Sequence, residues 1–127
     1  MKLKFRAWDN KNQYMAYQGT ADLETIQSFF HHYGDQTLMQ WTGLNDKNGK
    51  EIYEGDLITT PDNRTLPVIF KEGCFGFENS FENIFEIKKF TYFTKVLADT
   101  IEVVGNIYEI EEIPMFRGTK KELEDLF

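Results

Sequence analysis

The segment that decides the fold is residues 38–56, which read Leu38-Met39-Gln40-Trp41-Thr42-Gly43-Leu44-Asn45-Asp46-Lys47-Asn48-Gly49-Lys50-Glu51-Ile52-Tyr53-Glu54-Gly55-Asp56. Its apolar runs are separated by two turn signals, Asp46-Lys47-Asn48-Gly49 and Glu54-Gly55-Asp56, and no helical period connects them. Gly, Asn and Asp favour turns because they tolerate left-handed backbone or bond to neighbouring backbone groups. The segment therefore predicts a compact β unit, and it contains no catalytic constellation.

The same strand-and-turn pattern continues toward the C-terminus. Apolar runs at 57–60, 66–71 and 74–78 are predicted as strands, separated by turns at 61–63 and 72–73. Residues 101–110 form the predicted last strand, with a bulge at Gly105-Asn106. Residues 80–95 stay open, because Phe81 and Phe85 suit a helix face whereas 90–93 suit a strand. Strands this short, with turns this frequent, indicate a small barrel or sandwich.

The N-terminal part predicts a hairpin followed by a helix. Apolar and basic residues alternate over 2–7, which predicts a half-buried strand ending at Trp8, and a turn at 9–12 leads to a returning strand at 14–17. Residues 21–33 are predicted as a helix that Thr20 or Asp22 caps and that Gly34 ends in the left-handed conformation. The apolar face of this helix comprises Leu23, Ile26, Phe30 and Tyr33.

Composition and charge limit the classes of partner. With 127 residues, 41% of them hydrophobic, the chain is long enough for one domain with its own core. Its net charge of -7 repels phosphate, so nucleic-acid binding is not expected. The basic residues near the N-terminus are predicted to form the solvated face of an edge strand, where Lys is common. These residues are Lys2, Lys4, Arg6 and Lys11.

Two groups of polar residues resemble functional sites but have simpler explanations. Asp46, Asn48 and Glu51 lack the glycine position and the helical flanks of a calcium loop, so a hairpin turn is predicted. The acidic residues around Tyr53 suit acid–base chemistry only if burial raises a pKa, and no neighbour in sequence supplies a nucleophile or a cation. These residues, Glu51, Glu54 and Asp56, are therefore also predicted to form a turn.

The histidines and the cysteine do not indicate a metal or disulfide site. His31 and His32 are adjacent on the predicted helix and point in different directions, so they do not readily bind one metal together. Cys74 is the one cysteine, which excludes an internal disulfide, and its apolar surroundings predict a buried thiol. We therefore expect no catalytic residue, no cofactor and no metal.

Aromatic residues are frequent in the second half of the chain. A stacking platform for single-stranded nucleic acid would need a positive groove, which the few lysines there do not predict. Core packing and a subunit interface are the preferred interpretation for Phe75, Phe77, Phe81, Phe85, Phe90, Tyr92 and Phe93. No apolar run approaches the ~20 residues of a membrane span, so a cytoplasmic protein without membrane contact is expected.

Three segments together resemble the YopX-like family, which is encoded largely by phages and prophages. They are Arg6-Ala7-Trp8-Asp9, residues 38–56, and Val104-Gly105-Asn106-Ile107-Tyr108-Glu109. The middle segment is long and specific, and the resemblance covers residues 1–110. The family more often has Tyr in place of Trp41. The chain after Glu109 departs from the usual Asn-Pro continuation, so nothing transfers to residues 111–127.

The resemblance implies a mainly β fold with minor α content. It implies an N-terminal β/helix subdomain at 1–36, with the helix at 21–33, and an SH3-like small β-barrel at 37–110. Residues 111–127 are an acidic C-terminal tail, where Thr119 and Glu122 form a capping box and predict a short helix. A structural role, with Trp8 and Trp41 largely buried, is predicted for Trp8, Trp41, Gly43, Gly49, Tyr53, Gly55, Asp56, Gly105 and Asn106.

The family carries no established catalytic activity, and it implies oligomeric, ring-like assembly. The leading hypothesis is a phage- or prophage-derived accessory protein in the host cell cytoplasm that acts by binding, as a homo-oligomer. A second hypothesis is an acidic inhibitor or mimic that captures a host nucleic-acid-binding protein. A third is an enzyme whose site the sequence does not reveal.

Overall fold

The computed structural model describes residues 3–19, 25–34, 37–80 and 88–109. Its elements follow the chain as β1 (Phe5–Asp9), β2 (Tyr14–Tyr17), α1 (Ile26–Tyr33), β3 (Thr37–Asn45), β4 (Glu51–Tyr53), β5 (Asp56–Thr59), β6 (Thr65–Pro67), β7 (Ile69–Lys71), β8 (Cys74–Ser80), β9 (Lys88–Tyr92), α2 (Lys95–Ala98) and β10 (Glu102–Asn106). The predicted tail helix and the predictions for residues 81–87 lie outside the described residues.

The described strands form three antiparallel sheets, with the orders β2-β1-β3-β4, β10-β5-β6 and β7-β8-β9. The sheets curl into a half-barrel. The mainly β fold with minor α content is thus confirmed. Strand β3 pairs with β1 from Phe5↔Gln40 to Trp8↔Thr37, so the first sheet joins the N-terminal hairpin to the segment 38–56.

Strand β1 is central, and its predicted role as a solvated edge strand is wrong. It pairs with β2 on one side and β3 on the other. Arg6 is 2% exposed, whereas Leu3, expected on the buried face, is 46% exposed. Both faces of β1 are covered, because α1 packs near Ala7 and the start of β5 contacts Arg6. Alternation along one strand does not reveal that a second layer covers its polar face.

Helix α1 covers the first sheet with Phe29 and Tyr33, which form a small core with Ala7 and Ala16. The predicted cap is wrong, since Thr25 caps the helix by accepting a hydrogen bond from the backbone N–H of Ser28. Phe30, placed on the apolar face, is 38% exposed. Gly34 is right-handed, at φ -63°, and not left-handed as predicted.

The main core lies inside the half-barrel and draws on strands β4, β5, β8 and β10 as well as α2. Its buried side chains are Ile52, Ile58, Val68, Phe77, Ala98, Ile101 and Val103. The single strand predicted at 66–71 is interrupted at Val68, whose N–H bonds to Asp56 O and whose carbonyl accepts from Gly55 N. Residues 88–92 form a strand, and the sequence did not predict α2, which Thr94 caps.

The last strand is shorter than predicted. The expected bulge is confirmed near Gly105, as a register shift between Val103 and Gly105. The strand ends at Asn106, whose Oδ1 accepts the backbone N–H groups of Tyr108 and Glu109 and so bends the chain into a turn. A side-chain amide therefore ends a run that apolar patterning extends to residue 110.

Gly49 and Gly55 allow a matched test of what limits the residue type at the two turns, backbone strain alone or strain with an added contact. Gly49 and Gly55 both have positive φ, +82° and +88°, but only Gly55 has neighbours at its missing Cβ, with Met39 Sδ at 2.9 Å. We expect Gly49→Ala to cost about 1 kcal/mol through backbone strain, and Gly55→Ala roughly 2 kcal/mol or more, because a contact is added to the same strain. Thermal and urea unfolding measure both. Equal losses for the two variants would contradict this difference.

Candidate functional site

The three segments that carry the family resemblance meet around one buried ion pair. Arg6 Nη1 on β1 lies 2.8 Å from Asp56 Oδ1 at the start of β5, and their side chains are 3% and 2% exposed. Arg6 Nη2 also donates to Glu54 O at 3.1 Å. The second carboxylate oxygen of Asp56 accepts the backbone N–H of Tyr53 at 2.7 Å. The acidic turn therefore has a cation after all, supplied from 50 residues earlier in the chain.

The guanidinium of Arg6 also stacks on an aromatic ring. Its Cζ lies 4.8 Å from the centroid of Tyr53, which is 2% exposed. Among the described residues, Arg6 Nε has no hydrogen-bond partner. Burial raises the pKa of Asp56, and the charge of Arg6 opposes this effect. Burial likewise raises the pKa values of Glu54 and of the Tyr53 hydroxyl.

Asp46 connects the first hairpin turn to the last strand. Its Oδ1 accepts the backbone N–H groups of Asn48 and Lys50, both at 2.9 Å, and its Oδ2 accepts that of Val103 at 2.9 Å. Burial alone would raise the pKa of Asp46, but these three donors lower it below its usual value. The predicted hairpin turn is confirmed. No group of metal-binding side chains occurs among the described residues.

The third segment packs against the first through aromatic rings. Trp8 and Tyr108 stack with their centroids 5.6 Å apart and their planes 12° apart. Trp8 is 7% exposed, as predicted, whereas Trp41 is only half-buried. The Nε1–H of Trp41 donates to Leu44 O, and Lys4 Nζ lies 5.8 Å from its ring centroid. Gly55 O accepts the N–H of Ile107, which completes the junction of the three segments.

A cleft of about 500 Å³ opens over this junction, between β4 and β10. Arg6 and Asp56 contribute to its lining, as do residues of both strands and of the loops at its rim. The complete lining consists of Arg6, Tyr17, Lys50, Glu51, Tyr53, Asp56, Val104, Gly105, Asn106 and Glu109. The sequence singled out Tyr53, Asp56, Gly105 and Asn106 as structural residues, named Arg6 only in the basic cluster and in the first segment, and did not single out Lys50. The one sequence signal that Arg6 has a special role is its place in the first family segment, directly before Ala7 and Trp8.

The charges of the cleft largely neutralise one another. Lys4 Nζ donates to both carboxylate oxygens of Glu51, at 3.0 and 2.8 Å, and Asp56 pairs with Arg6. Asn106 Nδ2 donates to Glu109 at 3.2 Å. The Tyr53 hydroxyl donates a long hydrogen bond to Glu51 Oε1 at 3.4 Å. The arrangement is suited to binding a ligand by hydrogen bonds and apolar contact.

Other candidate residues lie away from this cleft. Cys74 is exposed, so the predicted burial of its thiol is wrong, because β8 begins beside the exposed turn at Glu72-Gly73. His31 and His32 are exposed in the last turn of α1. No helix in the described ranges has both the length and the apolar character needed to span a bilayer.

Comparison with known proteins identifies the fold and the family. The family model described as YopX protein matches residues 4–113, which include all three segments. The crystal structure of protein EF1440 from Enterococcus faecalis is similar, with a TM-score of 0.53 and 22% sequence identity over 86% of this chain and 95% of that chain. This likeness shows the fold alone. No curated protein matches the sequence.

Proposed function

This chain belongs to the YopX protein family, and from that premise we propose that it is a phage- or prophage-derived accessory protein that acts by binding and self-association. The proposal assigns it no catalysis. Its immediate partner is a second copy of the same chain, in the cytoplasm of the host cell.

The carrying observation is the exposure of large apolar side chains on the part of the fold from β7 to α2. Val96 is 80% exposed, Tyr92 63% and Phe70 50%. Isolated apolar residues are common on protein surfaces, but aromatic residues are enriched at interfaces, and two of these three side chains are aromatic. Self-association would remove these side chains from water without a change in the fold.

The aromatic residues of this region are already held in place by one another. Phe70 meets Phe75 edge-to-face at 4.9 Å, and Phe90 meets Tyr92 at 5.8 Å. Rings that are fixed before association lose less conformational entropy when a partner covers them. Phe70 pairs with Phe75, and Tyr92 pairs with the adjacent residue Gly76, so the two ring pairs lie on opposite faces of the sheet β7-β8-β9 and each face offers its own contact.

Charge in the described residues does not oppose such a contact strongly. Acidic and basic residues are nearly equal in number there, although the whole chain carries -7. Carboxylates near the surface are also paired, for example Glu78 with Lys71 and Asp99 with Lys95. The hypothesis of an acidic mimic would need a continuous acidic surface, and these pairings do not favour it.

The oligomeric state tests the proposal. We expect a homo-oligomer held by apolar contacts, which persists or strengthens from low to moderate salt, because salt screens the repulsion between acidic copies. Light scattering coupled to size exclusion at two salt concentrations measures it. Tyr92→Ser and Phe70→Ser should shift the protein toward monomer, and Leu3→Ser, which removes an exposed apolar side chain just before β1, should not. A monomer at micromolar concentration under both conditions would refute self-association.

A further inference from the structure

Strand β9 leaves one of its edges unpaired. It is the last strand of the third sheet, where β8 is its one partner among the described strands. The backbone N–H of Phe93, just past β9, donates to Phe75 O. Because hydrogen-bonded pairs alternate along an antiparallel ladder, the backbone groups of residues 88, 90 and 92 point away from β8. Within the described part of the chain, no hydrogen bond is made to these outward groups.

The free edge is symmetric about Phe90. Residues 88 and 92 lie at equal distances on either side of it, and all three offer a backbone donor and acceptor because none is proline. An identical antiparallel strand with Phe90 opposite Phe90 would place residue 88 opposite residue 92, and each opposed pair would exchange two hydrogen bonds. Registers centred on residue 89 or 91 would leave one of the three residues of β9 without a partner. The backbone of β9 is therefore complementary to itself in one register.

We propose that β9 pairs with β9 of a second copy, antiparallel and centred on Phe90, so that the two copies form one continuous sheet. This proposal rests on the self-association proposed above and specifies its contact at Tyr92. A strand that adds to a sheet edge gains affinity from main-chain hydrogen bonds. A twofold contact uses the same surface on both copies, so it needs no second, complementary surface.

The register also separates the positive charges of the strand. Lys88 and Lys89 are neighbours in the sequence, and lysine in an edge strand commonly opposes pairing with another chain. In the proposed register these positions lie opposite Tyr92 and Thr91 of the second copy, so no lysine lies directly opposite another. A register centred on residue 89 would place like charges opposite each other, which is destabilising.

The aromatic side chains of β9 add an apolar contact to this pairing. Phe77, which lies opposite Thr91, is 3% exposed in the main core, so Phe90 and Tyr92 lie on the other face of the sheet. Tyr92 is 63% exposed, and its ring meets that of Phe90 edge-to-face at 5.8 Å. Because opposed residues point to the same face, the pairing brings the rings of both copies together there.

Hydrogen exchange of single backbone amides, measured by NMR on the full chain at low and high concentration, tests the proposal. The amides of Phe90 and Tyr92 should exchange at least about tenfold more slowly in the oligomer than in the monomer, because they become hydrogen-bonded. The amide of Thr91 points toward β8 in either state, so its exchange should change much less and is the internal control.

Disulfide formation tests the position of the twofold axis. In a Cys74→Ser background, Phe90→Cys places the new thiol opposite its own copy, at the Cα separation of about 5.5 Å that a disulfide spans. This variant should form a covalent dimer on mild oxidation. Tyr92→Cys, on the same face, lies opposite residue 88 of the second copy and should not form one.

Each of four results would overturn the proposal. Association that leaves the amides of Phe90 and Tyr92 unprotected would refute this contact while self-association stands. Protection that is independent of concentration would show that the edge is covered within one chain, and equal cross-linking of the two cysteine variants would refute the register. A monomer at every concentration would refute the proposed function as well. If Phe90→Cys fails to fold, hydrogen exchange in the unaltered protein decides the question.

Discussion

Replacement of Arg6 by Met is expected to lower the free energy of unfolding by about 3–5 kcal/mol at pH 7, because it leaves the carboxylate of Asp56 buried without a counter-ion. The side chain of Asp56 is 2% exposed, so water does not readily replace the guanidinium. The substitution also removes the hydrogen bond to Glu54 O and the stacking on Tyr53.

The effect of Arg6→Met should depend on pH in a defined direction. Burial already raises the pKa of Asp56, and loss of the opposing guanidinium raises it further. The folded variant therefore prefers the protonated carboxyl, and its stability falls as pH rises above the unfolded value of ~3.9. Urea unfolding at pH 4 and pH 7 should show the larger loss at pH 7.

The pair formed by Lys4 and Glu51 is the matched control. Its atoms are also 2.8 Å apart, but its side chains are 28% and 35% exposed. Lys4→Met should cost less than about 1 kcal/mol, because solvent screens such a pair. Equal losses for the two variants would show that burial does not set the strength of the Arg6–Asp56 contact.

Replacement of Asp46 by Ala is expected to lower the free energy of unfolding by roughly 3 kcal/mol or more, because three backbone N–H groups lose their acceptor. Each of these groups that stays buried without a partner costs about 1–3 kcal/mol. Asp46 is 5% exposed, and its bond to Val103 joins the first hairpin turn to β10. The exposed turn residue Asp62, which bonds to Thr60 and Arg64, is the control, and Asp62→Ala should have a much smaller effect.

The contribution of Asp46 should also disappear in acid. Its pKa is lowered in the folded protein, so its stabilisation is present above the unfolded value of ~3.9 and is lost as pH falls through the folded value. The difference in unfolding free energy between the unaltered protein and Asp46→Ala should therefore shrink between pH 7 and pH 2. A difference that stays constant over this range would contradict the assigned role.

Features that depend on residues close together in the chain were predictable from the sequence. The turns at Asp46-Lys47-Asn48-Gly49 and Glu54-Gly55-Asp56 form as predicted, because Asp, Asn and Gly act on backbone within a few residues of themselves. The bulge near Gly105 and the burial of Trp8 were likewise predictable from local pattern. The start of α1 and the end of β10 were not predictable in this way. Each is set by one polar side chain, Thr25 or Asn106, that bonds to nearby backbone next to an apolar run.

By itself, the sequence determined the family, the mainly β fold and the two turns of residues 38–56, since each depends on motifs or on neighbours along the chain. Only the tertiary structure decided that β1 is central, that Arg6 is buried against Asp56, and that residues of β4 and β10 line one cleft. These features depend on which strands become neighbours in space. Alternation identifies the faces of a strand, but the layer that packs on each face is contributed by distant residues, so a single strand cannot reveal it.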